Sequence, residues 1–155
     1  MGIEAAATAV LTVLILVLAW NDLRHYLLPN ALTASLAVLG LVFNGLLDMP
    51  DIGNHFIGIL AGFGSFEVIR RSYRRLRGRD GLGAGDAKLM AGAGAWVGWM
   101  GLPSVVLIGT LIALSATLAV TKLRGDSLST SARVPLGAYL AAGLWLTWVF
   151  GPIAV

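Results

Sequence analysis

Long apolar runs separated by short polar segments make up most of the chain. Six runs have the length and composition of membrane helices, at residues 5–20, 31–47, 52–69, 87–100, 103–121 and 134–155. A helix as long as the first run reaches only about 24 Å, against a hydrocarbon core of about 30 Å, so several helices must extend into flanking polar residues. The pattern therefore predicts an all-α polytopic membrane protein, a bundle of six transmembrane helices forming a single domain over residues 1–155.

The fourth run, residues 87–100, is the shortest and the richest in small side chains. Its small residues are Ala91, Gly92, Ala93, Gly94, Ala95 and Gly98. Small side chains let neighbouring helix backbones approach closely inside a membrane. We therefore expect this helix to lie inside the bundle.

Composition agrees with a membrane protein. Of the 155 residues, 57% are apolar or aromatic and 12% are charged, whereas an ordinary soluble domain is about 25% charged. The mean hydropathy of +0.84 also excludes disorder, because disordered chains combine low hydrophobicity with high charge. The chain has no cysteine, and no His lies at metal-ligand spacing from a carboxylate, so we expect no metal and no cofactor.

The basic residues predict the orientation in the membrane. All eleven fall on one side of the predicted topology: Arg24, Arg70, Arg71, Arg74, Arg75, Arg77, Arg79, Lys88, Lys122, Arg124 and Arg133. By the positive-inside rule this side faces the cytoplasm and both termini face outward. Nucleic acid is not needed to explain the net charge of +3, since a nucleic-acid site would interleave aromatic residues and only Tyr73 lies among the arginines. We expect the cluster from Arg70 to Arg79 to bind anionic lipid.

Two of the eight acids lie at predicted cytoplasmic membrane edges, where Asp22 ends the first run and Asp86 opens the fourth. Taken singly, Asp86 is typical of a helix N-cap and Asp22 of a polar helix end. Taken together, two carboxylates at the same depth can share one proton, so that one activates a water while the other protonates a scissile carbonyl. Glu67, in contrast, lies three and four residues before Arg70 and Arg71, which favours a helix-surface ion pair.

Alternating glycines precede the second of these aspartates. Gly81, Gly83 and Gly85 predict a loop with free access to positive φ and with no side chains between its backbone and an incoming peptide. A phosphate-binding loop is not indicated, because leucine follows Lys88 where such a loop requires Ser or Thr.

Three segments at predicted cytoplasmic membrane edges carry a family resemblance. They read DLRHYLLPNALT from Asp22, GLGAGDAKL from Gly81 with GAWVGW from Gly94, and VPLGAYLA from Val134. In this order they resemble the type IV prepilin peptidases, which are membrane aspartic proteases of the Gly-x-Gly-Asp class. The resemblance covers nearly the whole chain.

The resemblance implies an aspartic endopeptidase with Asp22 and Asp86 as its catalytic pair. Such an enzyme cuts the short basic leader from a prepilin or pseudopilin at the cytoplasmic face of the bacterial inner membrane, typically after a glycine. The positions that match the family's substrate-binding motifs are Gly83, Gly85, Lys88, Pro135 and Gly137. By physical reasoning, Pro and Gly here can leave the entry to the last helix non-helical and able to pair with an extended substrate. For Lys88 we derive no role.

The commonest family members carry a further N-terminal part that methylates the new pilin N-terminus and has cysteines for a zinc site. The present chain has no cysteine, and it begins at its first predicted helix. We therefore expect a peptidase-only form without methyl transfer or S-adenosylmethionine binding.

The charges near the predicted site bear on how a basic leader peptide would bind. The cluster from Arg70 to Arg79 would repel such a leader, so Asp80 and Asp126 are the better candidates to contact it. An intramembrane protease with other substrates uses the same chemistry. A small proton-coupled transporter could also use the two aspartates, although transporters usually place such acids near the bilayer midplane and show internal repeats. The sequence leaves the oligomeric state and the particular pilin open.

Overall fold

The computed structural model describes residues 2–47, 52–78, 81–124 and 134–153, and these residues form a helical bundle. Its helices are α1 (Gly2–His25), α2 (Asn30–Leu46), α3 (Ile52–Arg77), α4 (Ala84–Arg124) and α5 (Leu136–Phe150). Three of them, α1, α3 and α4, are long and apolar enough to cross a membrane, whereas α2 and α5 are shorter apolar helices. The all-α class is therefore confirmed, but the predicted count of six separate helices is not: the described residues form five.

The difference arises in α4, which contains both the fourth and the fifth predicted runs. Its helical conformation is interrupted at Gly98, where φ is 67° and ψ is 178°. Residues other than glycine avoid this combination because a Cβ would clash with the backbone. The apolar pattern placed the boundary near residues 101 and 102, three residues beyond the break.

The first half of α4 runs parallel to α5. Asp86 and Gly137 are neighbours near the N-terminal ends of the two helices. Farther along, the rings of Trp96 and Trp148 pack edge to face, with centroids 5.1 Å apart. Both helices therefore lead away from Asp86 in the same direction.

The second half of α4 runs in the opposite direction. Beyond the break, Gly101 lies near Thr147 towards the C-terminus of α5, and Gly109 lies near Leu140 towards its N-terminus. The residue numbers of α4 thus rise while those of α5 fall. The chain therefore reverses direction around Gly98, and the end of α4 returns towards the level of its beginning.

Small residues allow this central packing, as the sequence predicted. A Cβ on Gly58 of α3 would lie 2.5 Å from the carbonyl oxygen of Gly94, and Gly62 contacts the backbone of Met90. Ala93 is fully buried. The fourth predicted run therefore lies inside the bundle, which confirms the expectation from its small side chains.

Helix directions define two ends of the molecule. We call the end that holds Asp22 and Asp86 the aspartate end. The C-termini of α1 and α3 and the N-termini of α2, α4 and α5 lie there, because Asp22 contacts Ala138, Lys88 contacts Asn30 and Gly62 contacts Met90. At the opposite end lie the N-terminus of α1 and the C-terminus of α5, where Trp148 donates to Thr8.

Helices α1 and α3 are longer at the aspartate end than the hydropathy pattern indicated. Helix α3 continues to Arg77, so most of the arginine cluster is helical. Arginine is a good helix former, and apolar runs alone do not detect such an extension. Four residues discussed above lie outside the described residues: Arg79, Asp80, Asp126 and Arg133.

Candidate active site

Asp22 lies in the last turn of α1 and faces the start of α5. Its side chain is 6% exposed, and its Oδ2 accepts a hydrogen bond of 2.8 Å from the backbone N–H of Ala138. The first N–H groups of a helix have no partner within that helix, so this carboxylate satisfies one of them. A negative charge is also favoured at this position by the helix dipole. The start of α5 therefore fixes the position of Asp22.

Asp86 lies in the first turn of α4 and is 8% exposed. Its backbone N–H donates a hydrogen bond of 3.2 Å to the carbonyl of Gly83, and a Cβ on Gly83 would lie 3.1 Å from Asp86 Oδ2. Because α4 begins at Ala84, the aspartate lies inside the first turn and is not the N-cap.

Gly137 lies between the two carboxylates. A Cβ built on this residue would be 3.0 Å from Asp22 Oδ2 and 3.1 Å from Asp86 Oδ1. The two oxygens are therefore separated by no more than the sum of these distances. Residues 64 positions apart in the sequence thus present buried carboxylates to one small space.

Leu28 also borders this space, although sequence reasoning gave it no role. It lies in the linker between α1 and α2 and is 9% exposed. Its Cδ1 would be 2.9 Å from a Cβ on Gly137, and its Cβ would be 2.9 Å from a Cβ on Gly85. The sequence offered no signal for it beyond its place inside the motif that begins at Asp22.

The glycines before Asp86 serve close packing. Gly81 contacts the ring of Tyr73, and Gly85 contacts Leu28. Gly83 and Gly85 do not adopt a positive φ, so the conformational freedom expected of these glycines is not used at these two positions. At Gly81 and Gly85 neighbouring atoms leave no room for a side chain.

Pro135 begins α5 with a tight non-helical turn. Its φ of −72° and ψ of 74° are those of an inverse γ-turn, and the N–H of Leu136 donates a 2.8 Å hydrogen bond to the carbonyl of Val134. The predicted non-helical entry to the last helix is therefore confirmed as far as its backbone conformation goes. Helix α5 itself ends at Phe150, short of the run predicted to residue 155.

Lys88 forms a hydrogen bond with the start of α2. Its Nζ donates a hydrogen bond of 2.6 Å to Asn30 Oδ1 at the start of α2. This bond ties α2 to α4 at the aspartate end. Contact between the Lys88 side chain and the substrate stays a prediction.

Glu67 has the ion-pair role that its spacing predicted. It accepts hydrogen bonds from the guanidinium groups of Arg70, at 2.8 and 2.9 Å, and of Arg71, at 2.7 Å. Its oxygens are thus engaged within α3. The proposed leader contacts, Asp80 and Asp126, lie outside the described residues.

The paired carboxylates determine which chemistry this site can perform. Two buried carboxylates that approach one point can hold one proton between them, activate a water and protonate an oxygen. Aspartic peptidases use a carboxylate pair in this way. In this chain the pair lies at one end of a helical bundle that has helices long enough to span a membrane.

Comparison with known proteins gives the family. A model of the Type IV leader peptidase family matches residues 9–118. A prepilin leader peptidase/N-methyltransferase of Aeromonas hydrophila is 35% identical over 97% of this chain and 51% of its own length. The corresponding protein of Pseudomonas aeruginosa is 32% identical over 96% of this chain and 50% of its own length. The leader peptidase HopD of Escherichia coli is 36% identical over 86% of each chain.

The chain therefore belongs to the Type IV leader peptidase family. It spans about half the length of the curated prepilin leader peptidase/N-methyltransferases that it matches. No solved structure matches it.

Proposed function

We propose that the protein is a membrane aspartic endopeptidase that removes the short basic leader from type IV prepilins or pseudopilins. The observation that carries this proposal is the approach of Asp22 Oδ2 and Asp86 Oδ1 to a single point at Gly137, with both side chains buried. Family membership supplies the substrate class, since relatives in the same family are named prepilin leader peptidases.

In the proposed reaction the two carboxylates share one proton. The unprotonated carboxylate takes a proton from a water, whose oxygen adds to the scissile carbonyl carbon, while the protonated one gives its proton to the carbonyl oxygen. The carbon–nitrogen bond then breaks, and the leaving amine takes a proton from the carboxylate that received one from water. One hydroxyl of the intermediate returns its proton to the other carboxylate as the carbonyl re-forms, so the product is a carboxylic acid and the pair again holds one proton. Both aspartates are thus required, and neither needs a metal ion for these transfers.

The non-helical turn at Pro135 supports a substrate-binding role for the entry to α5. An extended peptide there could lie close to the backbone at Gly137, since a glycine presents no side chain. Gly83 and Gly85 border the opposite side of the same space and add no side chain of their own to it. Lys88 is proposed as a substrate-binding residue only because it matches a position in the family's motif.

The proposed orientation places the aspartate end at the cytoplasmic face of the bacterial inner membrane. Basic residues cluster at this end, including Arg24 and the arginines of α3. With the chain reversal at Gly98, the two halves of α4 would cross separately, which gives six crossings and outward termini. The arginines from Arg70 to Arg77 would lie beside anionic lipid headgroups.

The test is co-expression of the full chain with a prepilin. Asp22→Asn and Asp86→Asn keep the shape of each side chain but prevent proton sharing, so each should lower leader removal by about 10²-fold or more. Glu67→Gln is the matched control, because this acid lies at the same end but is already paired with two arginines. Unimpaired cleavage by either Asn variant, or an equal loss in the Gln variant, would contradict the assignment. Proton-coupled uptake into proteoliposomes would favour a transporter.

A further inference from the structure

Leu28 provides a bulky apolar side chain beside the two aspartates, in a space whose other borders include glycines. A Cβ on Gly137 would lie 2.9 Å from Leu28 Cδ1, closer than either carboxylate oxygen, and a Cβ on Gly85 would lie 2.9 to 3.3 Å from three Leu28 carbons. The side chain is held there firmly, since it is 9% exposed and belongs to the main hydrophobic cluster. Leu28 therefore occupies room directly beside the carboxylate pair.

The geometry of peptide hydrolysis determines which substrate residue must lie next to Leu28. The attacked carbonyl carbon has to lie between the two carboxylates, and it is bonded to the Cα of the residue before the scissile bond. The Cβ of that residue is two bonds of about 1.5 Å from the attacked carbon. Its side chain must therefore fit within a few ångströms of Asp22 and Asp86, where Gly83, Gly85 and Gly137 add no side-chain bulk.

We propose that Leu28 is a specificity-determining residue that limits the size of the substrate residue before the scissile bond. A substrate with a small residue there can place its carbonyl between the aspartates, whereas a larger side chain meets the Leu28 methyl groups first. This inference rests on the proposed peptidase function and adds the group that sets the width of the site.

The test compares substrates that differ at one position. A prepilin with glycine before the scissile bond, and its alanine and valine variants, are co-expressed with the wild-type chain, Leu28→Ala or Leu28→Val. We expect wild type to cleave the glycine substrate best. Leu28→Ala should raise cleavage of the alanine and valine substrates relative to glycine by at least about tenfold, which corresponds to about 1.4 kcal/mol of transition-state discrimination, and Leu28→Val by less.

Leu27→Ala is the matched control, because it removes the same atoms from the neighbouring residue, whose side chain is 70% exposed. This control should leave the ratio of alanine or valine cleavage to glycine cleavage unchanged.

If Leu28→Ala does not accumulate in the membrane, Leu28→Val tests whether Leu28 limits the substrate residue. Normal cleavage of the glycine substrate with an unchanged ratio overturns the role of Leu28 and leaves the peptidase intact. Loss of glycine cleavage in a folded Leu28→Val also overturns it, and failure of wild type to cleave any substrate overturns the peptidase proposal itself.

Discussion

Gly137 shows how a single missing Cβ can be required at the site. A Cβ there would lie within 3.1 Å of both aspartates and of Leu28, all of them buried. Gly137→Ala must therefore displace α5 or Leu28, and overpacking of this kind costs about 1–3 kcal/mol. We expect leader cleavage to fall by at least about tenfold, measured by co-expression with a prepilin. Gly64→Ala is the control, since nothing lies within 4 Å of its added Cβ, and equal cleavage by the two variants would refute this account.

The location of the two aspartates at one end of the molecule could be predicted from the sequence, but the inward position of Leu28 could not. The aspartates are rare charges in an apolar chain, and helix directions alone bring both to one end. Leu27 and Leu28 are chemically identical neighbours in a non-helical linker, so no periodicity tells which one faces inward. The backbone path of the linker determines which leucine faces inward. The linker begins with Tyr26, whose φ of 52° could not be predicted from the sequence. Leu27 consequently faces out while Leu28 packs against the glycines.

At the scale of the helix, the break in α4 depends on polar groups from neighbouring helices. Carbonyls in the turn before Gly98 lose their helical partners, and the Asn44 Nδ2 group donates to the carbonyls of Ala95, at 3.0 Å, and Trp96, at 3.2 Å. His55 Nδ1 also lies 3.0 Å from the Ala95 carbonyl. The hydropathy pattern could not locate this break, because Gly98 is one of several small residues in the run and its partners come from distant segments.

Removal of the Asn44 amide should destabilise the break. Asn44→Leu introduces an apolar side chain of similar size. It removes the Asn44 donor from the Trp96 carbonyl and leaves the Ala95 carbonyl with His55 alone, and loss of a donor to a buried carbonyl costs about 1–3 kcal/mol. We therefore expect a lower thermal unfolding midpoint in detergent. Asn21→Leu is the control, because Asn21 only bonds back to Val17 within α1 on an exposed face. Equal midpoints for the two variants would show that Asn44 does not support the reversal.

At the scale of the whole molecule, the positions of the basic residues agree with the directions of the helices. Every basic residue among those described lies on a helix segment that reaches the aspartate end: Arg24, Arg70, Arg71, Arg74, Arg75, Arg77, Lys88, Lys122 and Arg124. The reversal at Gly98 is what brings the last two to this end, because an uninterrupted α4 would carry them far beyond the opposite end. All of these basic residues can lie on one side of a membrane, as the sequence predicted, only because the chain reverses at Gly98.

The absence of native cysteine allows a direct test of this topology. Single substitutions Leu76→Cys, Leu123→Cys and Phe150→Cys place a thiol at exposed positions, where the native side chains are 84%, 87% and 78% exposed. A membrane-impermeant maleimide applied to intact spheroplasts should label only the variant at Phe150, since the proposed orientation puts the ends of both α3 and α4 on the cytoplasmic side. Permeabilised cells should give labelling of all three, which controls for thiol reactivity. Labelling of the Leu123 variant from outside would mean that α4 does not return across the membrane, and six crossings would then be wrong.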